Sequence, residues 1–156
     1  MNDTITLHYE SQLKASRERV WDWITSIEGI SREMRPFFRM TTPRGIRSIG
    51  DLQVEPGVPM FRSRFFLFGF IPLGYSDMTL IELDPEHGFV EQSPMASMEL
   101  WRHERRIVPC PSDEDAVLLV DHVTFRPHTA IRFVGWFMRL VFAHRHSVLR
   151  ANLCGS

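Results

Sequence analysis

Apolar and polar residues alternate at the start of the chain. In TITLHYESQL (4–13), Ile5, Leu7 and Tyr9 fall on one side and Thr6, His8 and Glu10 on the other, the period of a half-buried β-strand. The period then changes. In ASRERVWDWITSIEG, Val20, Trp23, Ile24 and Ile27 recur at i, i+3, i+4 and i+7, a helical stripe. Ser16 is placed to cap its start, Glu18 lies in the first turn, and Gly29 is placed to close it. GISREMRPFF predicts a second short helix that ends before Pro36. The stretch 39–57 reads as turns and short strands.

From residue 61 the pattern is that of consecutive strands with short turns. Phe61–Phe68 and Gly74–Leu83 form a predicted hairpin around Gly69–Leu73. A strand FVEQS (89–93) follows the turn DPEHG (84–88). The strands 97–109 and 116–127 flank the turn CPSDED (110–115). Such an order argues for an antiparallel meander. The chain closes with one long helix over 129–153. On a helical wheel Phe133, Val134, Phe137, Leu140, Val141, His144 and Val148 share one face, with Arg132, Arg139, His146 and Arg150 opposite. A face this apolar needs a cover, and a curved sheet would wrap it. The uncharged run FFLFGFIPLGY (65–75) then belongs to that sheet. It is too short, and too broken by Gly69 and Pro72, to cross a bilayer as a helix.

Composition adds little to the fold but narrows the function. The 156 residues are 44% hydrophobic and 24% charged, and the predicted organisation is one domain over 1–156. The net charge of −1 gives no global field for nucleic acid or an anionic membrane. Twelve Phe, eight Met and four Trp suit a core shaped around something, or simply a Phe-rich core. Cys110 and Cys154 make no disulfide framework, and Cys154 lies in a predicted frayed tail. The N-terminus carries no secretory pattern, so the expected compartment is the cytoplasm.

The element order resembles the START-like, birch-pollen-allergen-type helix-grip fold of the SRPBCC superfamily. The resemblance rests on ASRERVWDWITSIEG, on the strand pair LWRHERRIV and LLVDHVTFRP, and on the closing FAHRHSVLR. The last resembles the ending of small bacterial ligand-binding SRPBCC proteins. The resemblance covers nearly the whole chain, but its motifs mark the fold. It implies an α+β helix-grip domain: a curved antiparallel sheet of six to seven strands around a long C-terminal helix, with two short helices after the first strand. It also implies a deep, mainly apolar cavity between sheet and helix. The superfamily holds lipid carriers, polyketide cyclases, quinone binders and chaperone-activating domains, so the fold alone does not assign an activity.

Candidate chemistry is sparse. His144 and His146 lie about 160° apart on the helix and cannot share one ion; no metal and no cofactor are expected. His146 is read as solvated, and His144 as a core or cavity-lining histidine. In the last strand Asp121 has the parity of the apolar Val117, Leu119, Val123 and Phe125, so it points inward. A register with Val108 opposite Ala116 sets His103 opposite Asp121, with Trp101 on the same face. The pair is then either an acid–base or ligand-orienting dyad or a buried structural pair. Parity is mixed over 97–108, because Met98 and Leu100 form one set and Trp101 and Ile107 the other. Arg102, Glu104 and Arg106 read as a solvated, salt-bridged face. Tyr75, Asp77, Glu91 and Gln92 are polar strand residues, one or two of which could tip inward. No phosphate loop, nucleophile elbow or zinc-protease motif occurs.

Three readings follow. The first is a small-molecule binding protein for a lipid-like, aromatic or polyketide-like ligand, with Phe68, Tyr75, Trp101, His103, Asp121, Phe133, Phe137, Val141 and His144 as the predicted binding residues. The second is a cyclase or dehydratase using His103 and Asp121. The third is an interaction module docking through the 65–75 hairpin. The expected partner is a small hydrophobic ligand rather than nucleic acid, and the expected state is a monomer or homodimer without an integral membrane segment.

Overall fold

The computed structural model describes residues 4–153. Seven antiparallel strands form one sheet in the order β1-β7-β6-β5-β4-β3-β2. They are β1 (Ile5–Leu13), β2 (Phe38–Met40), β3 (Pro59–Leu67), β4 (Ile71–Asp84), β5 (Gly88–Gln92), β6 (Met98–Pro109) and β7 (Val117–Pro127). The helices are α1 (Arg17–Thr25), α2 (Ile27–Met34) and α3 (Ile131–Leu153), and a single 3-10 turn covers Ile49–Asp51. The curled sheet holds α3 on its inner face, with α1 and α2 inserted after the first strand. This is the expected helix-grip architecture. No helix among the described residues is long and apolar enough to cross a membrane.

The two short helices are divided differently from the expectation. Ser16 caps α1, its side chain accepting from the Arg19 amide. The break comes at Ser26, not at Gly29. Ser26 is extended; its hydroxyl donates to the Trp23 carbonyl at 2.9 Å and accepts from the Gly29 amide at 2.9 Å. One serine thus ends α1 and starts α2. Gly29 lies inside α2, where a Cβ would stand 2.3 Å from the Trp23 carbonyl oxygen. The glycine serves close approach of the helices rather than a C-cap.

The mixed parity of β6 has a simple cause. The β6–β7 register skips between Met98 and Leu100, a bulge at Glu99. One extra residue puts Met98 and Trp101 on the same inner face. Beyond it the alternation is regular, and His103, Arg105 and Ile107 are all buried. The register itself is two residues from the one expected: Val108 faces Leu118, His103 faces Val123, and Arg105 faces Asp121. A shift of two preserves the face, so His103 still points inward.

The buried face of α3 is rotated by roughly 120° from the stripe read on the wheel. Its buried residues are Gly135, Met138, Val141, Phe142, Arg145, His146, Leu149 and Leu153. Phe133 and Leu140 are exposed. The wheel followed hydrophobic density, whereas the buried face also carries Arg145 and His146, which find partners inside. Two apolar clusters result. One gathers Leu13, Val20, Ile24, Leu119 and Leu149, and the other Leu7, Val123, Phe125, Val141 and Phe142.

Candidate functional site

Charged side chains meet in the interior. Arg105 is fully buried. Its Nε donates to Asp121 Oδ1 at 2.8 Å and its Nη2 to Asp121 Oδ2 at 2.9 Å. On the other side Nη1 and Nη2 donate to Glu33 at 3.1 and 2.7 Å. The strand holds the guanidinium flat between a carboxylate of β7 and one of α2, a bidentate match on both edges. Glu33 also accepts from Trp23 Nε1 at 2.9 Å and from Arg145 Nε at 3.1 Å. Asp121 accepts from His103 Nε2 at 2.8 Å and from His146 Nε2 at 2.7 Å. His146 Nδ1 in turn pairs with Ser11 Oγ at 2.7 Å. Fully buried polar side-chain atoms all have partners among the described residues.

The electrostatics follow from this packing. Burial alone would raise the carboxyl of Asp121, but Arg105 and the two histidines outweigh it and hold it well below the usual carboxylate range. Burial likewise opposes ionisation of Glu33, and Arg105 with Arg145 reverse that effect. Burial would also discharge Arg105; its two carboxylates keep it charged. For His103 burial dominates over the attraction of Asp121 and lowers its pKa, so the ring is neutral. The carboxylate contact assigns its proton to Nε2.

Beside this network lies a cavity of about 350 Å³ between the sheet and α3. Its wall is mostly apolar, with Ile24, Ile30 and Met34 from the short helices and Phe61, Phe65, Met78 and Leu80 from the hairpin strands. Trp101, Met138 and Val141 continue it, and Phe68, Phe133 and Phe137 stand where it opens. The polar side chains on the wall are Glu91, Ser97, His103, Arg105 and Arg145.

The expected residues divide accordingly. Phe68, Trp101, His103, Phe133, Phe137 and Val141 line the cavity. Asp121 stands behind His103 and does not reach it. His144 is outside the lining; its Nε2 pairs with the Arg35 carbonyl and its ring abuts Phe37. Tyr75 faces outward, 42% exposed, under the Arg62 guanidinium, which pairs with Asp77. Of the four polar strand residues, Glu91 alone is buried, its oxygens accepting from Ser93 Oγ and Trp101 Nε1. His146, expected in solvent, is 2% exposed because Asp121 and Ser11 satisfy both its nitrogens. The hairpin 65–75 is partly wall and partly surface: Phe65 and Leu67 line the cavity, while Phe70 is 73% exposed at the turn. The expected tail cysteine, Cys154, lies outside the described residues.

Glu33, Arg105 and Arg145 were missed by reading the sequence. A signal existed for Arg105, which shares the parity of His103 and Ile107. Glu33 and Arg145 needed knowledge of which helix faces meet.

The profile of a family described as Domain of unknown function (DUF8410) matches residues 11–153, and the chain belongs to that family. None of the curated proteins matches its sequence. Among solved structures it is similar to a protein of Chromobacterium violaceum, with 15% identity, all of both chains covered and a TM-score of 0.69. It is also similar to a START superfamily protein of Mycobacterium smegmatis, with 11% identity over 95% of this chain and 96% of that one, TM-score 0.66. The Zhui aromatase/cyclase of a Streptomyces species shares 10% identity over 96% and 93% of the two chains, TM-score 0.68. These likenesses establish the SRPBCC/START-like fold.

Proposed function

We propose that this member of the DUF8410 family binds one small hydrophobic molecule in the cavity between its sheet and α3. The observation that carries this reading is the cavity itself: about 350 Å³ of space with an apolar lining, within the size range of ligand sites. An apolar ligand gains by leaving water, at about 25 cal/mol for each Å² buried. The few polar wall groups then fix its orientation.

A second reading is supported by one contact. His103 is paired with Asp121 at 2.8 Å, as a general base would be. Two features weigh against catalysis. Burial lowers the pKa of His103, which weakens it as a base near neutral pH. Asp121 also shares its charge with Arg105 and His146, so little is left to raise it. We therefore favour binding, with His103 as an orienting group.

The test is a fluorescence titration with an apolar probe such as N-phenyl-naphthylamine. Wild-type protein should saturate at one probe per chain. Met78→Trp, which fills the cavity from β4, should keep the fold by circular dichroism and lose binding at least tenfold. Unchanged binding in a folded Met78→Trp protein would sink the assignment.

A further inference from the structure

Two polar groups on the cavity wall carry hydrogen-bonding capacity that the described residues leave unused. Arg145 donates from Nε to Glu33, and its guanidinium carbon sits 5.1 Å from the centre of the Phe142 ring. Neither terminal amino group, Nη1 or Nη2, is bonded by a described residue. Yet Arg145 is only 8% exposed, and among the described residues no fully buried side-chain nitrogen or oxygen lacks a partner. Both amino groups therefore reach open space, and the space Arg145 lines is the cavity. His103 has the complementary vacancy. With its proton on Nε2 and engaged by Asp121, Nδ1 is an acceptor without a partner among the described residues. By the same reasoning it opens on the cavity, which His103 lines while 4% exposed. The two groups occupy one stretch of wall, because the His103 ring packs edge-on against the same Phe142 ring at 5.3 Å. Arg105 has four of its five N–H groups on Glu33 and Asp121, and Glu91 has its oxygens on Ser93 and Trp101.

An arginine with open amino groups ordinarily points to an anion. Here the surroundings oppose one. Glu33, Asp121 and Glu91 are three carboxyl groups against the two guanidinium groups of Arg105 and Arg145. A bare anion would add to that excess of acid groups in an apolar enclosure, and its lone pairs would face the lone pair of His103 Nδ1. A carboxylic acid that keeps its proton meets neither objection. Its carbonyl oxygen accepts from Arg145, and its hydroxyl donates to His103.

We propose that the ligand is an apolar carboxylic acid taken up with its proton, its carboxyl group held between the Arg145 amino groups and His103 Nδ1. This rests on the ligand-binding reading above and adds the chemistry of the ligand's polar end. The apolar body extends along Phe61, Met78 and Phe137 toward the opening. The titratable and charged groups around this end are Asp121 on β7, Arg105 on β6, Glu91 on β5, Glu33 on α2 and His146 on α3. His103 and Arg145 act as binding residues.

The test compares decanoic acid with methyl decanoate as displacers of N-phenyl-naphthylamine from the full chain, at about pH 5 and about pH 7. The ester keeps the carbonyl acceptor and lacks the proton. The acid should bind at least tenfold tighter at the lower pH, and its apparent affinity should fall up to tenfold per pH unit above its own pKa, while the ester stays constant. His103→Phe, which removes the acceptor of the acid's proton, should bring acid and ester together, whereas Arg145→Met, which removes the donor to the carbonyl that both carry, should weaken both. His103→Leu serves if the phenylalanine variant does not fold; it should lose most of the preference for the acid. Equal affinity of acid and ester in the wild type would overturn the proposal and leave the apolar cavity standing. A preference for the acid that does not weaken with pH would overturn proton uptake in favour of a bare carboxylate. If neither the probe nor either displacer binds, the ligand-binding reading falls as well.

Discussion

Replacing Arg105 with methionine removes the guanidinium that bridges Glu33 and Asp121 in the interior. Its guanidinium makes four bonds of 2.7–3.1 Å to Glu33 and Asp121, and all three side chains are 1% exposed or less. Methionine fits the space but leaves two buried carboxyl groups facing each other. Removing one partner of a buried ion pair costs about 3–5 kcal/mol. A domain of this size has a total stability of about 5–15 kcal/mol. At about 2–4 °C per kcal/mol the loss corresponds to a fall in Tm of roughly 6–20 °C. Thermal unfolding followed by far-ultraviolet circular dichroism at neutral pH reads it directly. Because the penalty comes from the orphaned acids, adding Glu33→Gln to Arg105→Met should cost less than the sum of the two single changes. An Arg105→Met protein melting within about 2 °C of wild type would refute the reasoning.

Three further outcomes follow from the same structure. Stability should fall on acidification in two stages, read by urea unfolding across pH. His103 is held below its ordinary 6.5, so below that pH the unfolded chain binds a proton that the folded one resists. Glu33 and Asp121 are also lowered, so a second loss begins near 4.5 as the unfolded carboxylates protonate first; stability unchanged between about pH 7 and about pH 5 would contradict the His103 assignment. Gly29→Ala should destabilise by about 1–3 kcal/mol despite alanine's helix propensity, since its methyl meets the Trp23 carbonyl, and a stabilised variant in denaturant titration would contradict the packing. Phe70→Ser should change stability by less than about 0.5 kcal/mol, because the ring is 73% exposed; a large loss of Tm would mean that the turn belongs to the core.

The fold was legible because its signals are periodic. Alternation in β1 and β7 and the helical spacing of α3 are properties of neighbouring residues, and the bulge at Glu99 accounts for the stretch where alternation failed. The inward direction of Asp121 was readable for the same reason. The centre of the site was not, because its members are brought together by tertiary contact. Glu33 and Arg145 look like solvated residues until α2 and α3 are packed. His146 reads as polar surface although Asp121 and Ser11 bury it. A wheel ranks faces by hydrophobicity, and a charge satisfied inside the protein is invisible to it. Phe133 misled in the opposite sense: it is apolar yet 63% exposed, beside the mouth it helps to line.

The central claim is an occupied apolar cavity, and native mass spectrometry of the purified protein addresses it most directly. The account predicts a noncovalent adduct at one per chain, or an empty chain that acquires one on addition of decanoic acid, released in either case by denaturing extraction. A protein that stays empty, with no thermal shift across fatty acids, quinones and aromatic polyketides, would contradict it.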